Sequence, residues 1–206
     1  MRIFVKQRSR NLYKAELDVI IGQETVGRIF VKGSMWTPKS KVYVEINERT
    51  FYLHAKRSAA KRGLEDWWPY AIELDGEGRE IGEIFQAFDK VGNYGYQYAE
   101  INYAEYKMYP IGYGEEGAKN PVYMGDMQVA LVSKPAVIYD DMYEFDIVVR
   151  DEQYIEAAVI FTAYVYTSAF FKPGTVMKKG WKKTITVTEK ENLLSKFDVR
   201  FEETYG

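Results

Sequence analysis

The run YIEAAVIFTAYVYTSAFF, Tyr154 to Phe171, limits what this chain can fold into more than any other stretch. It has almost no polar face, and a helix that is apolar all round lies either in lipid or inside protein. From Ala157 to Phe171 a helix would span roughly 22 Å at ~1.5 Å per residue. A bilayer core needs about 30 Å and about 20 apolar residues. The run also carries Thr162, Thr167, Ser168, Tyr164 and Tyr166. The pattern therefore predicts a helix enclosed by protein, at about 151–167. A membrane span or surface anchor is the second placement. A long core strand is the third, kept open by the β-branched residues around Thr162–Thr167. Asp151 is a candidate N-cap with acidic Glu152 in the first turn, and Pro173-Gly174 closes the segment.

Enclosure requires walls, and the residues before the run read as strands. LDVI, GRIFVKG, KVYVEINERTFYLHAK, YAIEL, EIGEIFQAF, YQYAEINYAEYKMY, MQVALVSK and MYEFDIVV are rich in Val, Ile, Phe and Tyr. Aromatic residues are 16% of the chain, and its 18 Tyr suit a pleated surface. Val42, Val44 and Ile46 share one face of a strand, as do Tyr143, Phe145 and Ile147, while Glu144 and Asp146 share the wet face. Asn47-Glu48-Arg49 is a connection of hairpin size, and Asp75-Gly76-Glu77-Gly78 is a glycine turn. GQETVGRIFVK (Gly22–Lys32) and DGEGREIGEIFQ (Asp75–Gln86) look alike, as hairpins of one meander would. SAAKRGLEDWWP reads as a helical turn or loop and IGYGEEGAKNP as a loop. After the run, TITVT reads as a strand, EKENLLSK as a short helix or turn and KFDVRFEE as a strand.

Most catalytic constellations are excluded by residue type. With no Cys there is no disulfide framework, thiolate metal site or Cys nucleophile. His54 is the sole histidine, so a multi-His metal site or a His-based triad cannot form within one chain. The acidic pairs Glu115-Glu116, Asp140-Asp141 and Glu202-Glu203 are adjacent residues expected to point apart into water, unlike a working carboxylate pair. No glycine motif for phosphate opens a helix. A net charge of −2 lacks the basic footprint of a nucleic-acid binder. The expectation is no enzyme, no catalytic residue, no metal and no cofactor. MRIFVKQRSRN has too short an apolar stretch for a signal peptide, so a cytoplasmic chain is expected.

KKGWKK is the cluster that points to a partner. Lys178, Lys179, Lys182 and Lys183 flank Trp181. Lysine beside an interfacial Trp suits contact with anionic lipid, each Lys contributing ~1 kcal/mol near a charged surface. The ordinary reading is a solvated turn before TITVT, with Trp181 packed on the barrel. The basic residues Lys6, Arg8, Arg10 and Lys14 either extend the same face or lie far from it.

Strand hairpins followed by one all-apolar helix resemble the tubby C-terminal-like superfamily, and within it the small LURP-one-related, scramblase-like proteins. The residues carrying the likeness are MRIFVKQRSRNLYKAELDVI, then GDMQVALVSKPAVIYDDMYEFDIVVRDE (Gly125–Glu152), then YIEAAVIFTAYV. Val132-Ser133-Lys134, Asp141-Met142-Tyr143-Glu144-Phe145-Asp146-Ile147 and Asp151-Glu152 look like that family's final hairpin and its approach to a central helix. The resemblance implies a mainly β fold: a closed antiparallel barrel of about 12 strands around a central hydrophobic helix. It places that barrel at residues 1–171, with a C-terminal extension, 172–206, packed on the barrel or on a partner. A helix filling the lumen leaves function to the outer face and loops. The expected function is a non-enzymatic module that recognises anionic phospholipid head groups at a membrane surface through Lys178, Lys179, Trp181, Lys182 and Lys183, without a transmembrane span. The alternative is a structural or protein-interaction domain, including a homo-oligomer.

Overall fold

In the strand Lys41–Ile46, Val42, Val44 and Ile46 are buried while Lys41, Tyr43 and Glu45 face outward, and the strands Arg2–Arg10 and Lys14–Ile21 alternate in the same way. Inward positions joined side by side make a continuous apolar wall. A computed structural model describes residues 1–34, 40–56, 69–75, 78–89, 94–112, 117–185 and 189–206. The strands of the first half are β1 (Arg2–Arg10), β2 (Lys14–Ile21), β3 (Glu24–Lys32), β4 (Lys41–Ile46), β5 (Arg49–Ala55), β6 (Tyr70–Leu74) and β7 (Arg79–Asp89). Then follow β8 (Tyr94–Ile101), β9 (Ala104–Met108), β10 (Ile111–Gly112), β11 (Ala118–Met124), β12 (Met127–Lys134), β13 (Val137–Tyr139) and β14 (Glu144–Val149).

Strands β1 to β9 form an antiparallel meander. β1 also pairs with β14, β14 with β12, and β12 with β11. β11 then pairs with β9 through Val122↔Met108, Tyr123↔Lys107 and Met124↔Tyr106, which closes a barrel of 12 strands. Closure removes the free edges through which sheets aggregate.

Helix α1 (Ile155–Val165) lies in the lumen against β4, β8, β12 and β14. Ala158, Val159, Ile160, Phe161 and Ala163 are fully enclosed. The hydroxyls in this apolar run bond back to their own helix: Thr162 Oγ1 donates to the Ala158 carbonyl at 2.8 Å and Thr167 Oγ1 to the Ala163 carbonyl at 2.7 Å. The α-helical part is shorter than 151–167. Asp151 caps a 3-10 turn, Glu152–Tyr154, by accepting from the Gln153 N–H at 3.2 Å. After Val165 the helix widens into a π-helical turn, Tyr166–Phe170. Among the described residues no helix is long and apolar enough to cross a membrane.

The two look-alike segments are the same device used twice. In β3, Val19 faces Gly27 and Ile20 faces Thr25, so Val26 is an extra residue. In β7, Ile72 faces Gly82 and Glu73 faces Glu80, so Ile81 is the extra one. Each is a β-bulge followed by glycine. A Cβ on Gly27 would stand 2.2 Å from the Glu45 carbonyl oxygen, and one on Gly82 would stand 1.8 Å from that of Glu100. These glycines let neighbouring backbones close up where the sheet bends.

The extension, 172–206, departs from its sequence pattern. KFDVRFEE is not a strand: α2 (Phe201–Tyr205) is a short helix, and Val199 is exposed. Each barrel strand already has two neighbours, so the alternation Phe197, Val199, Phe201 finds no edge to join. Phe201 instead packs, with Phe197 and Tyr205, on the outward Leu131 and Val148. EKENLLSK forms a 3-10 helix, Glu191–Lys196, with Leu193 buried beside Tyr109 and Ile111. The segment read as the strand TITVT contributes only its first residue to β15 (Lys182–Thr184), and 186–188 lie outside the described residues. IGYGEEGAKNP is not all loop, because β10 and β11 take its two ends. SAAKRGLEDWWP falls almost wholly outside the described residues.

Gly82→Ala should force β7 and β8 apart and cost about 1–3 kcal/mol, read as a lowered midpoint in urea unfolding. An unchanged midpoint would show that the two backbones do not approach this closely.

Candidate functional site at the barrel mouth

Where α1 leaves the lumen, four parts of the chain meet: the end of β1, the turn before β14, the π-turn and the start of the extension. Asp140 and Asp141 occupy the corner of a tight turn with φ of 52° and 60°. Carboxylates tolerate this left-handed region better than most side chains. The turn sends the two acids in different directions, but not both into water as the sequence led one to expect. Asp141 is buried, and its Oδ2 lies 3.1 Å from Arg10 Nε, with the two side chains only 7% and 4% exposed. Arg10 also stacks over Tyr143 at 5.7 Å and Phe171 at 5.4 Å, and its Nη2 donates to the Thr175 carbonyl at 3.1 Å. Gln7 donates to the Asp141 carbonyl at 2.9 Å and accepts from the Tyr166 hydroxyl at 2.7 Å.

Asp140 and Asp141 position the Lys/Trp hairpin. Asp140 Oδ1 accepts from the Gly180 N–H, and the Asp140 N–H donates to the Trp181 carbonyl at 3.0 Å. Asp141 Oδ2 accepts from the Met177 N–H at 3.3 Å. A turn at Lys178–Trp181 is closed by the Trp181 N–H on the Lys178 carbonyl at 3.2 Å, with Gly180 at φ 82°. β15 then pairs with β13: Val137↔Thr184, Ile138↔Lys183 and Tyr139↔Lys182. Lys178, Lys179, Lys182 and Lys183 are all exposed. Trp181 is not packed on the barrel but 58% exposed, and Tyr139 is 61% exposed. Lys178 Nζ lies 5.7 Å over the Trp181 ring and Lys182 Nζ 5.8 Å over Tyr139. Beneath the hairpin is a cavity of about 460 Å³, lined among others by Arg10, Tyr143, Phe170, Lys172, Lys178 and Trp181.

Of the basic N-terminal residues, Arg10 reaches this cavity, while Lys14 lines a groove on the outer strand face. His54 faces Glu73 at 3.5 Å on the outer wall. Glu115 and Glu116 lie outside the described residues. Glu202 is bonded by Lys119 at 3.0 Å and Arg2 at 2.6 Å, and the Lys119 contact foremost holds its carboxyl below the usual range. Among the described residues no three His, Asp or Glu side chains are grouped to hold a metal.

Lys134 went unnoticed as a chemical group in the sequence. It sits at the end of β12 and is 5% exposed. Ala130 and Val132 point inward, so strand parity carries Lys134 inward too, and that was the available signal. Its Nζ lies 5.4 Å from the Tyr143 ring centre, 5.9 Å from Phe145 and 5.5 Å from Phe170. It donates to the Pro135 carbonyl at 2.7 Å. Burial pushes its pKa down to about 8 against the upward pull of Glu144. Burial likewise raises the neighbouring Tyr143 phenol.

No family model, curated protein or solved structure matches this chain.

Arg10→Met would leave a buried carboxylate without its cation and should cost about 3–5 kcal/mol. Combining it with Asp141→Asn should cost clearly less than the sum of the two single changes, measured as a double-mutant cycle by denaturant unfolding. The Lys134 amine gives a second expectation. Its folded value lies below the ordinary 10.5, so between about pH 8 and 10.5 the unfolded chain binds more protons than the native one. Stability should therefore rise with pH across that window, by up to ~3 kcal/mol relative to Lys134→Met. Tyr143 and Glu144, which act on the amine, and Arg10 and Asp141, which act on Tyr143, are common to both proteins.

Proposed function

We propose that this chain is a non-enzymatic binding module, of the kind the tubby-like and LURP-one-like resemblance implies, that docks on anionic phospholipid at a membrane surface. The observation that carries the reading is an exposed aromatic rim inside a basic ring. Trp181 and Tyr139 stand out from the surface with Met142 at 42% and Val176 at 38% exposure beside them. Lys178, Lys179, Lys182 and Lys183 surround that rim on one hairpin. The nearby carboxylates are engaged internally, Asp141 by Arg10 and Asp140 by the Gly180 N–H, so they oppose an anionic surface less than their number implies. Four lysines at ~1 kcal/mol each support an affinity near the millimolar level, with ring insertion adding to it.

The test is co-sedimentation with neutral and anionic vesicles at low and high salt. Pelleting should need anionic lipid. It should fall with salt, vanish when Lys178, Lys179, Lys182 and Lys183 are changed to Glu, and weaken in Trp181→Ala. Pelleting that is absent, or equal on neutral vesicles, would sink the reading.

A second reading is a protein-interaction or self-associating domain. Supporting it is an outer groove of about 430 Å³ lined by Phe30, Tyr43 and Tyr52, where the Tyr43 and Tyr52 rings meet edge-on at 5.1 Å. Tyrosine is enriched at interfaces. A monomer mass by light scattering across a wide concentration range would count against self-association.

A further inference from the structure

We propose that Lys134 is a reactive amine that condenses reversibly with small aldehydes to form an imine inside the aromatic cage at the barrel mouth. A lysine kept for structure alone would ordinarily be drawn into an ion pair. Among the described residues no carboxylate lies within ion-pair distance of Lys134. One carbonyl, Pro135, and three ring faces are what its ammonium meets. Desolvation of this kind activates lysine as a nucleophile, because it favours the neutral amine. With a pKa of about 8, roughly a quarter of the amine is free at about pH 7.5, against about 0.1% for an ordinary lysine.

The cage also suits the product. The neutral Nζ adds its lone pair to the aldehyde carbon, and a proton passes from nitrogen to oxygen to give a carbinolamine. Loss of water then leaves the C=N bond. Nothing is oxidised or reduced. The protonated iminium keeps a positive charge before Tyr143, Phe145 and Phe170, where ring quadrupoles attract it. Tyr143 and Phe170 belong to both the cage and the wall of the 460 Å³ cavity. Phe170 ends the π-turn, half-exposed beside exposed Ser168 and Ala169. A shift of its ring would connect cavity and amine. The one carboxylate lining the cavity among the described residues, Asp141, is already paired with Arg10, so nothing there is left to hold a cationic substrate. The class, a small carbonyl compound, is set by the narrow approach to an amine that is 5% exposed.

The experiment uses the full chain with limiting acetaldehyde and cyanoborohydride, which traps imines as stable ethyl adducts located by peptide mass spectrometry. The adduct at Lys134 should form at least ~10-fold faster than at exposed Lys178, Lys179, Lys182 and Lys183, with its rate half-maximal near pH 8. Tyr143 and Glu144 are the titratable groups that act on it, and Arg10 and Asp141 act in turn on Tyr143. Phe170→Ala should speed the reaction by opening the cage. Lys134→Arg keeps the cation but cannot form an imine, and should lose the fast adduct. Labelling of Lys134 in the wild type at or below the rate of the four exposed lysines, or only after unfolding, overturns the proposal. Those rates decide the matter even if a variant fails to fold.

Discussion

The pairing of β9 with β11 closes the wall around α1, and the rest of the structure depends on that enclosure. An all-apolar helix satisfies its backbone internally, and here its Thr and Ser hydroxyls bond to its own carbonyls as well. It can therefore occupy the lumen with its backbone and its Thr and Ser hydroxyls satisfied, leaving the buried Tyr164 hydroxyl as the exception on the helix among the described residues. The helix and the inward side chains fill the lumen with one apolar core. Chemistry is displaced to the mouths and the outer wall.

At the mouth where the helix leaves, one buried ion pair ties distant segments together. Arg10 belongs to the first hairpin and Asp141 to the last. Around them Arg10 reaches the Phe170 and Thr175 carbonyls, and Asp141 holds the Met177 N–H. A pair shielded this way is costly to break from one side. It fixes the path of the chain from helix to hairpin, and so fixes where Trp181 and its lysines project. Lys134 and Arg10 both lie over Tyr143, so one ring meets two cations held in different ways: one matched by a carboxylate, the other by a backbone carbonyl and aromatic faces.

The outer wall near β12 and β14 is covered as well. Phe201 packs on Leu131 and Val148, while Arg2 and Lys119 hold Glu202. The N-terminal amine donates to the Val149 and Tyr205 carbonyls, so the two ends of the chain meet on this face. This explains why VALV and IVV break the alternation seen in β4: those strands are buried on both faces.

Much of this was legible in the residues. Parity along β4 and β14 named the inner face, the length of the apolar run argued for a helix enclosed by protein, and the likeness of two glycine-bearing segments pointed to similar hairpins of one meander, which the structure shows to share a bulge. These are local properties, fixed by side-chain period and by which residues tolerate a turn or a close approach. KFDVRFEE was misread because alternation states a preference for pairing and cannot say whether an edge is free. Asp141 and Lys134 were missed as buried groups because burial of a charge depends on what arrives from elsewhere, here Arg10 from 131 positions earlier and Phe170 from the helix end. The sequence by itself determined the strands of the barrel, the enclosed helix and the basic cluster. Only the tertiary structure decided which charges met an opposite charge, which met aromatic rings and a backbone carbonyl and which stayed in water, because desolvation is a property of the assembled surroundings and not of the residue.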